Sequence, residues 1–202
     1  MIKIYLASAS PRRREILELM KLDFEVATAE ANEEIADGTA PESAGEILAA
    51  RKALALKEKL TAEGKFDEDT VIIAADTLVY CGDSRLGKPK DETEAKLMLA
   101  ALSGRAHSVC TGTCVLHGAR SISAAEVSQV HMRAFSNKEA DAYVATGEPL
   151  DKAGAYGIQG MGSVLIDRID GDFFSVMGLS PATVCKLLGA LGIPYFDLIR
   201  KD

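Results

Sequence analysis

Zinc-type cysteine spacing is missing from this sequence. Its four cysteines, Cys81, Cys110, Cys114 and Cys185, include no CxxC pair and have no short histidine pair beside them. The usual structural zinc sites are therefore excluded. Cys110 and Cys114 stand four apart in a strand-like run, which puts both on one face. A reduced, mostly apolar role in a cytoplasmic protein is the expectation for them. The three histidines, His107, His117 and His131, form no recognisable ligand set. Positive charge is also scarce. Lys plus Arg number 23 against 30 Asp plus Glu, for a net charge of −7. A protein that coats DNA or RNA draws affinity from many basic side chains displacing counterions, so a nucleic acid polymer is excluded as the partner. A small anion held by a few local cations is not. No apolar run has the length needed to span a bilayer, which excludes a membrane partner of that kind. The cluster Arg12 to Arg14 follows the apolar run Ile4-Tyr5-Leu6-Ala7, whereas a signal peptide wants the reverse order. The location expected is the cytoplasm.

What is present is enough for a core. The chain has 202 residues, 48% of them hydrophobic, which fits a single domain over 1–202, in two lobes at most. Turn and cap signals divide it. Residues 2–7 read as a strand, and Ser10-Pro11 opens a helix to about residue 21, serine capping it and proline standing at its first position. A short strand follows at 23–28. Ser43 with Glu46, Asp91 with Glu94 and Ser136 with Glu139 have capping-box spacing and predict helices over 44–60, 92–102 and 137–146. Ser180-Pro181 opens a last helix that stops at Gly192. Thr70 to Cys81 reads as a buried strand. Residues 106–117 and 121–134 read as a hairpin through Gly118, and 163–169 with 173–177 as another through Gly171-Asp172. Strands and helices are interspersed and hairpins crowd the second half. The fold class is α/β with a mixed sheet.

Four stretches could carry chemistry. Ser8-Ala9-Ser10-Pro11-Arg12-Arg13-Arg14 lies between a strand and a helix N-terminus, where free backbone N–H groups and the helix dipole favour an anion. Arginines in a first turn oppose that dipole, so Arg12 and Arg13 point to phosphate contact. Arg14 pairs with Glu18 at i,i+4 as an ordinary surface residue. Asp76-Thr77 ends the apolar run Val71 to Ala75, and an aspartate among core residues has to be paired, hydrogen-bonded or metal-bound. Lys52 shares a helical face with Leu48 and Ala55; taken alone it is a lysine snorkelling to solvent. Lys88, in Gly87-Lys88-Pro89, stands on a loop, equally suited to reach a ligand or to face water. The glycine-punctuated loop from Gly147 to Gly160 lacks dinucleotide-fingerprint spacing, yet a loop that long usually lines a site. Composition and spacing lead to a phosphate-ester ligand and no further.

Ser8-Ala9-Ser10-Pro11-Arg12-Arg13, Ala75-Asp76-Thr77, Gly87-Lys88-Pro89, Ser103-Gly104 and the 147–160 loop stand in the order of the motifs of the Maf family, which this chain resembles from residue 2 to about 190. The resemblance implies a nucleoside triphosphate pyrophosphatase that cuts between the α- and β-phosphates, releasing a monophosphate and pyrophosphate. It implies a mixed twisted sheet with flanking helices and two lobes around a deep cleft, as in inosine triphosphate pyrophosphatases, and a homodimer. One branch of the family acts on thymidine and uridine triphosphates, another on 7-methylguanosine triphosphate. The first carries arginine, threonine and glutamine where this sequence has Arg12, Thr77 and Gln159; the second carries tryptophan, glutamine and glutamate. All three residues match the pyrimidine branch. A glutamine amide can answer both the donor and the acceptors of uracil or thymine, whereas a glutamate only accepts.

The resemblance also assigns roles. Asp76 is implied as the proton acceptor that activates water. Glu33 and Asp76 are implied as ligands of a divalent cation, Mg²⁺ first with Mn²⁺ or Co²⁺ as substitutes, one of the two Asp76 roles running through a bound water. Arg13, Lys52 and Lys88 are implied to clamp the phosphates, with Ser8 and Ser10 donating hydrogen bonds. The family's association with arrest of septation keeps a second class open, a nucleotide-binding regulator with weak turnover. An intact Asp76 and a complete set of cations argue for turnover.

Overall fold

The computed structural model describes residues 2–200. In chain order its elements are β1 (Lys3–Leu6), α1 (Pro11–Leu19), β2 (Phe24–Val26), α2 (Pro41–Ala62), β3 (Thr70–Cys81), β4 (Ser84–Leu86), α3 (Glu92–Leu102), β5 (Ala106–His117), β6 (Arg120–Met132), α4 (Asn137–Val144), β7 (Ile166–Asp170), α5 (Phe173–Met177) and α6 (Pro181–Ala190). The strands pair in the order β2-β1-β3-β5-β6-β7, with β4 paired to β3. β1 runs parallel to both β2 and β3, whereas β3–β4 and β6–β7 are antiparallel. The sheet is mixed and helices accompany it, as the interspersed pattern predicts.

The chain divides into two compact units. The first holds the residues through Asp76, Thr111–Glu126 and those from Gly178 on. The second holds Thr77–Cys110 and Val127–Met177. In the first unit, Val71 to Ala75 of β3 are all fully buried, so this strand segment has no solvent face and reads as an unbroken apolar run. Helix α2 covers it with Ala49, Ala53, Leu56 and Leu60, in one core with Tyr5, Ile72 and Ala74. α2 is seated by a close approach. A Cβ on Gly112 of β5 would overlap the backbone of Gly45, so strand and helix meet where both lack a side chain. Cys110 and Cys114 are thiols rather than disulfide sulfurs and are fully buried, in keeping with an apolar role.

The second unit packs Val79, Leu99, Leu102, Tyr143, Val144 and Tyr156 into a separate core. Its helices α3 and α4 start where their caps predict. Asp91 accepts the Glu94 N–H at 2.8 Å, and Ser136 and Glu139 close a reciprocal capping box. In the first unit Ser180 caps α6 through the Thr183 N–H, and Gly192 follows its end at φ +82°.

Three local expectations are corrected. α2 begins at Pro41 with Ala40 at its N-cap, not after Ser43, because proline presets the first turn and Glu42 complements the dipole there. Ser10 stands at the N-cap of α1 but makes no capping bond; Pro11 organises that turn, and the Ser10 N–H is given to Ser8 Oγ at 3.2 Å. Residues 173–177 form helix α5 rather than a strand. Phenylalanine and valine favour strands there, but Asp172 accepts the Phe174 N–H at 2.8 Å and turns the chain into a helix. The hairpin strand β4 was not expected at all.

Candidate functional site

Within the first unit, β1, α1, α2 and β3 bring five of the expected residues together. Arg13, in the first turn of α1, folds back so that Nη1 donates to Ser8 Oγ at 3.1 Å and Nε to the Gly178 carbonyl at 2.8 Å. Those acceptors offset the cost of a cation at a helix N-terminus. Burial pulls the Arg13 guanidinium below its ordinary pKa, and Arg12 adds to the pull; the carboxylate of Asp76 opposes both. Arg12 is half-buried beside it.

Lys52 does not snorkel to solvent. Its ammonium donates to Asp76 Oδ1 and lies 3.0 Å from Glu33 Oε1. The Lys52 and Asp76 side chains are 21% and 13% exposed, against 65% for Glu33. A positive charge therefore sits between two carboxylates that are 43 residues apart in sequence (Glu33 and Asp76). Ser8, Arg13, Glu30, Glu33 and Lys52 line a concavity of about 440 Å³, a size that suits a small ligand. Its cations and hydroxyl can bind an anion, and its carboxylates can take a proton or a cation. Among the described residues no three His, Cys, Asp or Glu side chains gather as a metal cage. The donor set still fits a hard cation, since Lys52 already stands as a cation on both carboxylates, and Mg²⁺ needs only one or two protein carboxylates beside water and phosphate.

Thr77, Lys88 and Gln159 belong to the second unit. Thr77 is half-buried on β3 and Lys88 is exposed on the turn-like segment without regular structure before α3. The 147–160 loop is fastened to that segment, as the Gly154 N–H donates to the Gly87 carbonyl at 3.0 Å. Gln159 is half-buried near the end of the loop.

Two residues that the sequence did not single out organise this loop. The Glu148 carboxylate accepts from Tyr143 Oη at 2.9 Å, from the Met161 N–H at 2.9 Å and from the Gly162 N–H at 3.0 Å. Burial works against the charged carboxylate, but those donors outweigh it and hold its pKa below the ordinary value. Burial, with help from Glu148, raises the Tyr143 phenol, which keeps it a donor; its oxygen in turn accepts the Gly157 N–H at 3.1 Å. The signal for both was only that a carboxylate opened a glycine-rich loop.

Fold and site together define an α/β protein with a concavity lined by cations, a hydroxyl and carboxylates. Residues 3–191 match the family described as Maf-like protein, and the chain belongs to that family. The dTTP/UTP pyrophosphatase of Aquifex aeolicus is 42% identical over 192 residues, 95% of this chain and 97% of that relative. The protein of the same name from Syntrophomonas wolfei is 42% identical over 199 residues, 98% of this chain and 100% of its own. Among solved structures, the Ham1 protein of Staphylococcus aureus is similar with a TM-score of 0.48 and 14% identity, covering 97% of this chain and 93% of that one.

Proposed function

We propose that the protein hydrolyses pyrimidine nucleoside triphosphates, dTTP and UTP, to the monophosphate and pyrophosphate. The observation that carries the chemistry is Asp76, a carboxylate at the end of a fully buried strand segment, held by Lys52 beside a concavity lined by Ser8, Arg13 and Lys52. Near-full-length relatives named dTTP/UTP pyrophosphatase support the substrate.

In this reading Arg13, Lys52 and Lys88 bind the phosphate chain, and Ser8 and Ser10 donate hydrogen bonds to its oxygens. Asp76 accepts a proton from water as the water oxygen attacks the α-phosphorus. The bond from the α-phosphorus to the bridging oxygen breaks, and pyrophosphate leaves with the electron pair. Lys52 exchanges a carboxylate partner for phosphate and holds the developing charge. Glu33 and Asp76 would hold a divalent cation, Mg²⁺ first, with Mn²⁺ or Co²⁺ able to replace it; when bound it neutralises phosphate charge. Arg12, Thr77 and Gln159 set the preference for a pyrimidine. A single functional domain, a homodimer and a cytoplasmic location belong to the same reading; no helix among the described residues is long and apolar enough to cross a membrane.

Asp76→Asn tests it. The substitution keeps shape and removes the base, so pyrophosphate release from UTP should fall about 10²- to 10⁴-fold while UTP still binds. Retention of more than about a tenth of the rate overturns the base role. Wild-type protein that binds UTP but releases no pyrophosphate with or without Mg²⁺ would favour the nucleotide-binding regulator instead.

A further inference from the structure

We propose that Tyr143 and Glu148 are positioning residues for Gln159, and that base discrimination depends on the two of them together. The inference rests on the reading that Gln159 meets the base. Its geometry is independent of that reading and lies wholly within the second unit.

Gln159 has no regular element to hold it. It stands between a glycine-rich loop and a 3-10 turn over Gly160–Leu165, with extended φ and ψ of −95° and 156°. A glutamine that selects one hydrogen-bonding edge over another needs a fixed backbone, because a misplaced amide satisfies several edges equally poorly. The segment around it is fixed from both sides. Two residues before Gln159, the Gly157 N–H is held by Tyr143 Oη. Two and three residues after it, the Met161 and Gly162 N–H groups are held by the two Glu148 oxygens. The hydroxyl of Tyr143 donates to Glu148, so both anchors belong to one hydrogen-bonded unit.

The packing leaves little slack. A Cβ on Gly160 would come 2.8 Å from Glu148 Oε2, and one on Gly162 would come 2.9 Å from the Gly157 nitrogen. The loop is wrapped tightly on the carboxylate. Tyr143 comes from the capped helix α4 and is 6% exposed, so the frame originates in a rigid element. Lys152 Nζ donates to the Glu148 carbonyl at 2.6 Å and ties down the backbone that carries the carboxylate. Strong acceptance by a charged carboxylate makes these bonds worth about twice those of a neutral acceptor. Replacing Glu148 by glutamine loses the charge and sets an NH₂ group against a backbone N–H.

The experiment is a double-mutant cycle on specificity. It measures kcat/KM for UTP and for GTP with wild type, Glu148→Gln, Gln159→Ala and the double variant, and competitive inhibition by pyrophosphate for each. Glu148→Gln should lower the UTP-to-GTP ratio about tenfold. Inhibition by pyrophosphate, which has no base, should stay within about twofold. The double variant should discriminate no worse than Gln159→Ala alone, since a residue acting through Gln159 has nothing left to position. An unchanged ratio in Glu148→Gln overturns the proposal while leaving the role of Gln159 standing. So does a loss that simply adds to that of Gln159→Ala. If Gln159→Ala itself leaves the ratio unchanged, the base-reading role of Gln159 falls and this inference with it. Should Glu148→Gln fail to melt cooperatively, Tyr143→Phe carries the same test. It removes one hydroxyl, and the ratio should fall about threefold with the same non-additivity.

Discussion

Lys52 and Asp76 are joined as ammonium and carboxylate, the lysine from the middle of a helix and the aspartate from the end of a buried strand segment. Neither is exposed beyond 21%. In the proposed reaction this pair stores a cation at the place where phosphate charge must be met, and frees it when substrate arrives.

Lys52→Ala should therefore raise KM for UTP and lower kcat, without abolishing folding. A cation that holds developing charge contributes about tenfold or more to kcat/KM. Steady-state kinetics alongside a thermal melt make the check. Unchanged kinetics with a stability change would make Lys52 a structural ion-pair residue only.

Gln159→Glu should cut kcat/KM for UTP by about one to two decades, because an acceptor facing a base carbonyl costs roughly 1–3 kcal/mol. Activity on 7-methylguanosine triphosphate should rise relative to UTP. Arg12 and Thr77 remain and keep it inefficient. The ratio of the two kcat/KM values is the measurement, and an unchanged ratio would leave specificity to Arg12 and Thr77.

Gly112→Ala should destabilise the protein by about 1–3 kcal/mol or more, since the new methyl group meets backbone that cannot rotate away. Chemical denaturation reads this as a lower midpoint. A neutral result would show that α2 moves off β5 freely.

His107 predicts an acid limit. It is buried, its Nε2 lies 2.7 Å from Tyr156 Oη, and burial holds its pKa down from 6.5 to about 4, with His131 adding to the effect. The folded state thus binds fewer protons than the unfolded chain between these values. Stability should be full above pH 6.5 and decline as pH falls toward 4, by up to about 3 kcal/mol. His107→Gln, which cannot titrate there, should flatten melting temperature between pH 7 and 5. An equal slope in both proteins would place the acid sensitivity elsewhere.

Three caps and the apolar runs were legible because their physics is local, whereas Ser10 and Ser43 misled because a proline sets the first turn of α1 and of α2. Asp91, Ser136 and Ser180 each bind an N–H three residues on, so the spacing itself carries the information. Residues 173–177 misled because the Asx contact of Asp172, tied down by Ser128 and Ser175, overrode strand propensity. Lys52 read as a snorkelling lysine for a different reason. Its partner lies 24 residues away, and helical periodicity says nothing about a carboxylate on another element. Glu33 lies in a segment without regular structure, and only the motif resemblance pointed to it. Glu148 was invisible because its partners are mostly backbone N–H groups, which carry no residue signature.

The contact between Gly45 and Gly112 acts on Lys52 as a fulcrum acts on a lever. Lys52 lies seven positions along the helix from Gly45, an arm of about 10 Å. A tilt of about five degrees at that point would swing the lysine by about 1 Å, a displacement that in a reacting site can cost about a hundredfold in rate. The missing β-carbon of Gly112 thus sets the tolerance to which a charge is placed, and a methyl group added there would detune the proposed chemistry before it unfolded the chain.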